Sequence, residues 1–325
     1  MKARPCLLGV ALLAASTLCA AQSGWIPQRN IEILVGSAPG GSNDKTARQI
    51  ERILTEQKLV NQAIAVVNRS GGGGAIALSA LSQRPGDAHS VIVFTPTMLA
   101  NNITGASKYS YTQFTPIASL FNDYIAFVVN ADSPIRTGKE LSDRLRKDPQ
   151  SLTVGFASAL GSHNHIAIGL LMKKLDRNPT DLKVVAFKGS SLAVTNLLGG
   201  HIDVVTIGAG NVAGHVAAGR LRVVGISAPK RFSGGMAHIP TWKEQGVDLE
   251  VGGWRAIVGP KGISSAQVAY WDGILSKATR VPEWQEGLKK NHWFDNYISG
   301  PAVHKHFEDQ YNDMKSVLVE LGLAR

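Results

Sequence analysis

Ile31–Asp44 reads IEILVGSAPGGSND, and the order of residue types within it decides the fold. Ile31 to Val35 is an aliphatic, β-branched run of strand length. Gly40 and Gly41 break it, and Ser42, Asn43 and Asp44 are residue types that cap a helix start. Behind them Ala47, Ile50 and Leu54 fall on one helical face. The same order returns at residues 152–165, LTVGFASALGSHNH: a strand from Leu152 to Phe156, then Ser158-Ala159, a glycine, Ser162, Asn164 and a helix. Glycine lets the backbone turn through positive φ and come close to a ligand. A helix N-terminus adds unpaired N–H groups and partial positive charge, which suits an anion. Either loop alone is also what ordinary capping at a strand-helix turn looks like. The matched pair, one in each half of the chain, points to an anion held from two sides. Phosphate is disfavoured, because Gly36 to Ser42 lacks the Lys that precedes the Ser or Thr of a P-loop.

Outward from these loops, further strands are expected at Ile64 to Val67, Val91 to Phe94, Ala126 to Val129, Lys183 to Phe187, Ile202 to Ile207 and Leu221 to Ile226, with helical spacing between most of them. Strand and helix in alternation imply an α/β fold with parallel sheets flanked by helices. Two such stretches, roughly 30–120 and 126–226, precede a helix-rich tail that holds Trp242, Trp254, Trp271, Trp284 and Trp293. The tail has too few strands for its own sheet and must complete an earlier domain. The expected division is a discontinuous first domain, 22–124 and 228–325, with 125–227 as the second. The chain would cross near Asn122 to Ile125 and near Ser227 to Pro229, leaving a ligand cleft between two lobes. Phe307, Tyr311, Met314, Leu318 and Leu321 repeat at helical steps and predict a terminal helix packed on a core.

The chain has 325 residues, 44% hydrophobic and 18% charged, which excludes a disordered or collagen-like protein. Residues 1–21 have the parts of a signal peptide: Lys2 and Arg4, an apolar run from Leu7 to Leu18, and small residues at Cys19-Ala20-Ala21, with cleavage expected near Ala21. Both cysteines, Cys6 and Cys19, would leave with it, so no disulfide or thiol chemistry is expected. A lipid anchor on Cys19 is disfavoured by Leu18 before it. Losing Lys2 and Arg4 lowers the net charge from +10 to +8. The remaining Lys and Arg are scattered, which speaks against nucleic acid but suits attraction of a small anion.

Other motifs carry little. Gly72, Gly74 and Ala77 fit G-x-G-x-x-A, but the next strand ends Phe94-Thr95-Pro96-Thr97 without the acid a dinucleotide site needs. The quartet Gly71 to Gly74 reads better as a tight turn that lets a helix pack close to the sheet. His163 and His165 are two apart, so they do not share a helix face, and no third metal ligand is evident. No G-x-S-x-G surrounds any serine. No cofactor, metal or catalytic residue is assigned.

With those residues in view, the chain resembles the solute-binding proteins of tripartite tricarboxylate transporters, the Bug family. The resemblance rests on an ordered set: Ile26-Pro27-Gln28-Arg29, Ala38 to Asp44, Val67-Asn68-Arg69 with the glycine quartet, Ala157-Ser158, Gly161-Ser162 with Asn164-His165, Phe187-Lys188-Gly189-Ser190, Leu197-Leu198-Gly199-Gly200 and Gly219-Arg220-Leu221-Arg222. It implies a two-lobed, Venus-flytrap periplasmic binding protein, monomeric, that delivers a small organic carboxylate to membrane permease subunits. It implies ligand contacts, with bridging waters, from Pro39, Gly40, Gly41, Ser42 and Asn43 on one side. On the other side it implies Ser158, Ala159, Gly161, Ser162, Asn164 and His165. Thr95 and Thr97 match a hydroxyl-rich turn, Phe187 an aromatic at the cleft edge, and Asp44 an acid that orders the loop.

The chain departs from the family at three places. Ile207 stands where many relatives have an Asp, which favours a di- or aromatic carboxylate over an amino acid. The loop Ser158 to Ser162 looks one residue shorter. Arg255 sits where an uncharged residue is usual, and reads either as a second carboxylate partner or as a solvated strand-end residue. Two other functions could use the same cleft: a secreted hydrolase, with His165 and a neighbouring Ser, or a sensor for a signalling partner.

Overall fold

The computed structural model describes residues 24–157 and 159–324; the expected signal peptide and Ser158 lie outside them. The first part of the chain runs β1 (Ile31–Val35), α1 (Ser42–Glu56), β2 (Ile64–Asn68), α2 (Ala75–Ser82), β3 (Ser90–Phe94), α3 (Pro96–Ile103) and β4 (Phe114–Asn130). Then come α4 (Gly138–Lys147), β5 (Thr153–Ala157), α5 (His163–Lys174), β6 (Lys183–Phe187), α6 (Ser190–Leu198), β7 (Val204–Gly208), α7 (Ala213–Ala217) and β8 (Leu221–Ile226). The tail supplies β9 (Gly252–Pro260), α8 (Ser265–Ala278), α9 (Pro282–Asn291), β10 (Trp293–Ser299) and α10 (Pro301–Glu320). No described helix is long and apolar enough to cross a membrane.

Six of the strands foreseen from their β-branched runs pair in parallel, β1 with β2 and β3, β5 with β6 and β7, whereas Leu221–Ile226 pairs antiparallel with the Ala126 to Val129 run. Every antiparallel pair contains β4 or β9. β4 is the spine of the molecule. It pairs with β9 as far as Tyr124, opposite Gly252, and with β7 from Ile125, opposite Gly208. One strand therefore belongs to both lobes. It is much longer than the Ala126 to Val129 run that hydrophobicity picks out. Pro116 has no N–H for the ladder, and Asn122-Asp123 disfavours a strand by propensity; register shifts at Pro116/Ala118 and Ser119/Phe121 absorb the irregularity.

One lobe buries Ile33, Val35, Ile50, Leu54, Phe121 and Trp284 around its sheet, with Phe121 stacked on Trp293 at 4.0 Å. The other buries Phe127, Val154, Leu171 and Trp242 on one face and Val128, Val205, Ile207 and Ile226 on the opposite face. The segment 228–249, assigned to the first lobe by the sequence reading, joins these second-lobe cores: Phe232, Met236 and Ile239 pack with Val205 and Ile207, and Trp242 and Leu249 with Phe127. The chain returns to the first sheet only at Gly252. Ser227 pins this crossing. Its Oγ takes the N–H of Ile125 at 3.1 Å and donates to the carbonyl of Val251, and its own N–H reaches the Ile125 carbonyl at 2.9 Å.

The terminal helix forms as its spacing predicts and serves both lobes. Val303 and Phe307 pack on Phe94 and Trp254, whereas Leu318 and Leu321 sit with Ala100 and Ile103 of α3 and Ile166 of α5.

Candidate functional site

The loop after β1 is built around Asp44. Its carboxylate accepts the Gly40 N–H at 2.9 Å, Asn68 Nδ2 at 3.0 Å and Arg48 Nε at 3.0 Å, while Asn68 also donates to the Ser37 carbonyl. Burial alone would raise this carboxyl, but those donors outweigh it and hold Asp44 below the ordinary aspartate value. Gly40 is at φ +83°, the left-handed region that glycine enters freely. Asp44 thus orders the loop and turns Asn43 and the first turn of α1 toward the other lobe. Close behind, a Cβ on Gly36 would stand 2.7 Å from the Gly74 Cα, so the glycine quartet is the tight turn that brings α2 near the sheet.

The loop after β5 uses different side chains for the same end. Ser162 caps α5 by accepting the His165 N–H, and its hydroxyl donates to the Ala157 carbonyl at 3.1 Å. The His165 Nδ1 accepts the Gly161 N–H, and its ring stacks on Phe156 at 4.6 Å. Desolvation pushes His165 down to about 4, so the ring is neutral and able to accept. The His165 Nδ1 is thus committed to the Gly161 N–H, and the Ser162 hydroxyl to the His165 backbone N–H and the Ala157 carbonyl.

Between the loops lies a small, partly open cavity of about 20 Å³. From the first lobe it is lined by Ser37, Gly41, Ser42, Asn43, Thr95, Thr97 and Arg255, and from the second by Ala157, His163, Asn164, Gly189 and Ser190. The cleft is shut by contacts across it: Asn211 Nδ2 donates to Ser42 Oγ at 2.8 Å, Thr97 Oγ1 meets His163 Nδ1 at 3.2 Å, and Lys45 Nζ donates to the Gly210 carbonyl at 3.1 Å. Gly189 lets the lobes touch, since a Cβ there would lie 3.1 Å from the Ala38 Cβ. Asn43 Oδ1 and Asn164 Oδ1, at matching positions in the first turns of α1 and α5, are buried without partners.

Six of the residues expected at the site, Gly41, Ser42, Asn43, Thr95, Thr97 and Asn164, share this cavity. Pro39 and Gly40 shape the first loop, and the Pro39 carbonyl accepts Ser191 Oγ at 3.4 Å. Ala159, Gly161, Ser162 and His165 shape the second, with Ser158 outside the described residues. Phe187 is half-buried against the core beside Gly155 rather than on the cavity wall. Ile207 is fully buried in that core; alternation along β7 turns it toward α6, while Thr206 faces α5 and donates to the Asn164 carbonyl.

The sequence reading missed Ser37, Ala157, His163, Gly189 and Ser190 as cavity residues. It also left Arg255 open between solvent and ligand. Arg255 is only 4% exposed, inside β9, and pairs with the fully buried Asp123 at 3.1 Å. Burial pushes Asp123 up, and the charges of Arg255 and Lys45 with a hydrogen bond from Ser42 pull against it. An arginine does not give up its proton in such a site, so Arg255 keeps its charge. Desolvation, with Arg255 adding to it, pushes His163 down to about 3 and keeps it neutral. Among the described residues no cluster of three or more His, Cys, Asp or Glu could hold a metal.

The family model described as tripartite tricarboxylate transporter family receptor, TctC, matches residues 46–323. The chain belongs to that family. Among TctC relatives it is 29% identical over 293 residues to a UPF0065 protein from the tcbD-tcbE intergenic region of Pseudomonas sp. (strain P51), covering 88% of this chain and 85% of that one. Two solved structures share the fold. An R. palustris protein with adipate superposes with TM-score 0.85 at 24% identity, covering 92% of this chain and 99% of that one. MatC from Rhodopseudomonas palustris with bound malate superposes with TM-score 0.80 at 23% identity, covering 90% and 100%. The TctC fold is thus a two-lobed binding protein, and the cavity lies where its lobes meet.

Proposed function

We propose that this TctC-family protein is a periplasmic receptor, monomeric and not an enzyme, that captures a small organic carboxylate and delivers it to the membrane permease subunits of a tripartite transporter. The observation that carries the reading is the placement of Asn43 and Asn164 across one small cavity between the lobes, each in the first turn of a helix whose N-terminus faces it. The relatives solved with malate and adipate support a carboxylate as the ligand class. A di- or aromatic carboxylate fits better than an amino acid, because no residue lining the cavity is an acid that could take an ammonium group. The ligand closes the lobes by touching both.

The test is a thermal-shift and calorimetric panel of mono-, di- and tricarboxylates, aromatic acids and amino acids. A ligand that binds only the folded state raises the unfolding midpoint. At least one di- or aromatic carboxylate should do so and be released chemically unchanged. A flat panel would overturn the receptor reading, and turnover of a bound compound would replace it with an enzyme.

A further inference from the structure

We propose that Arg255 and His163 form a second anion subsite on the cavity wall, so that the receptor selects ligands with two acidic groups over monoacids of the same carbon skeleton. The inference rests on the receptor reading and adds to it a specificity residue in β9, away from both glycine loops.

Arg255 has donors to spare. A guanidinium carries five N–H groups; here Nη1 donates to the Trp254 carbonyl and Nη2 to Asp123, both at 3.1 Å, and the buried Nε has no partner among the described residues. An unmet charged donor in a buried site is costly, so a ligand group that meets it gains more than a surface contact would. Net charge points the same way. Asp123 offsets Arg255, but Lys45 acts on the same carboxylate, leaving two cations to one anion around it. His163 stands beside Arg255 with Nδ1 held by Thr97. Gly253, two residues earlier on the same face of β9, lets both side chains pack against its Cα: a Cβ there would lie 2.9 Å from His163 Nε2 and 3.2 Å from Arg255 Nη1. Trp254, on the opposite face, is fixed in the core against Phe94 and Phe307 and so holds the strand in register.

Calorimetry with succinate and butyrate tests this directly. The wild-type protein should bind succinate at least about tenfold more tightly than butyrate, the range expected of one charged hydrogen bond. Arg255→Gln alone strands Asp123, so it is paired with Asp123→Asn to leave a neutral, similarly sized couple. The double variant should keep its butyrate affinity and lose the preference. Gly253→Ala, which displaces the His163 ring without changing charge, should weaken succinate more than butyrate. Equal binding of the two acids by the wild type, or an unchanged preference in a folded double variant, overturns the subsite while leaving the receptor reading in place. Failure to bind any carboxylate would instead strike at the receptor reading itself.

Discussion

Asp44 and His165 hold equivalent places in the two halves of the chain: each accepts the N–H of a glycine four residues earlier, Gly40 or Gly161, and both bonds measure 2.9 Å. The two glycines are also alike, at φ +83° and +77°. One half uses a carboxylate and the other a neutral imidazole for the same turn. The two acceptors answer differently to acid, since the imidazole gains a charge on protonation and the carboxylate loses one.

That difference sets a pH dependence. An imidazole of ordinary pKa near 6.5 in the unfolded chain falls to about 4 for His165 and about 3 for His163 in the folded protein. Between those limits the unfolded state binds more protons, so stability is intact above about pH 6.5 and is lost as pH falls toward 4. The loss should be on the order of 3 kcal/mol per histidine. His165→Asn, which keeps an acceptor for Gly161, should flatten the decline of the thermal midpoint between pH 6.5 and 4 and retain ligand binding. An unaltered pH profile in this variant would show that His165 does not titrate as placed.

Gly41→Asp should abolish ligand binding and leave the fold intact. Gly41 lines the cavity at φ −83°, an ordinary backbone angle, and an added Cβ would meet Ser190 Oγ at an unstrained 3.5 Å. The carboxylate would set a negative charge where the anion belongs, at a cost of several kcal/mol, or a loss of more than about a hundredfold in affinity. Gly41→Ala is the matched control and should bind within about tenfold of wild type. Calorimetry reads both; retained affinity in Gly41→Asp would remove this loop from the site.

Ser227→Ala removes one hydroxyl from the place where the chain passes between lobes. The Ile125 N–H and Val251 carbonyl would lose their side-chain partner, a cost of about 1–3 kcal/mol in urea unfolding. Because both groups lie at the lobe junction, the variant should also change ligand affinity without any contact to the ligand. A stability loss with unchanged affinity would make Ser227 a purely structural residue.

Local chemistry made much of this legible. The strand-glycine-helix units, Asp44 as the organiser of its loop and the amphipathic terminal helix all follow from residue types at short spacing. What escaped was long-range. β9 reads GGWRAIVGP and β10 reads WFDNYIS, so flanking glycines, an arginine and an internal Asp-Asn pair obscure them as strands. Arg255 meets Asp123 only because β9 runs antiparallel to β4, with Phe121 opposite Arg255 and Gly253 opposite Asp123. One signal was present: a lone arginine followed by Ala256-Ile257-Val258 is a charge in an apolar run, and such a charge wants a buried partner. The return of the chain at Gly252 rather than at 228 was hidden for a similar reason, since the aromatic anchors Phe232 and Trp242 do not reveal which sheet they cover.

The place of β9 between β3 and β4 bears on how the protein is made. A ribosome releases both of those strands long before residues 252–260, and the whole of the second lobe emerges in the interval. Until then β3 and β4 face a gap with their edges unpaired, the kind of surface on which strands of other chains can add. The second lobe has its strands complete earlier and can fold while the first waits. A nascent chain stalled before Gly252 would therefore carry one finished lobe and one open sheet.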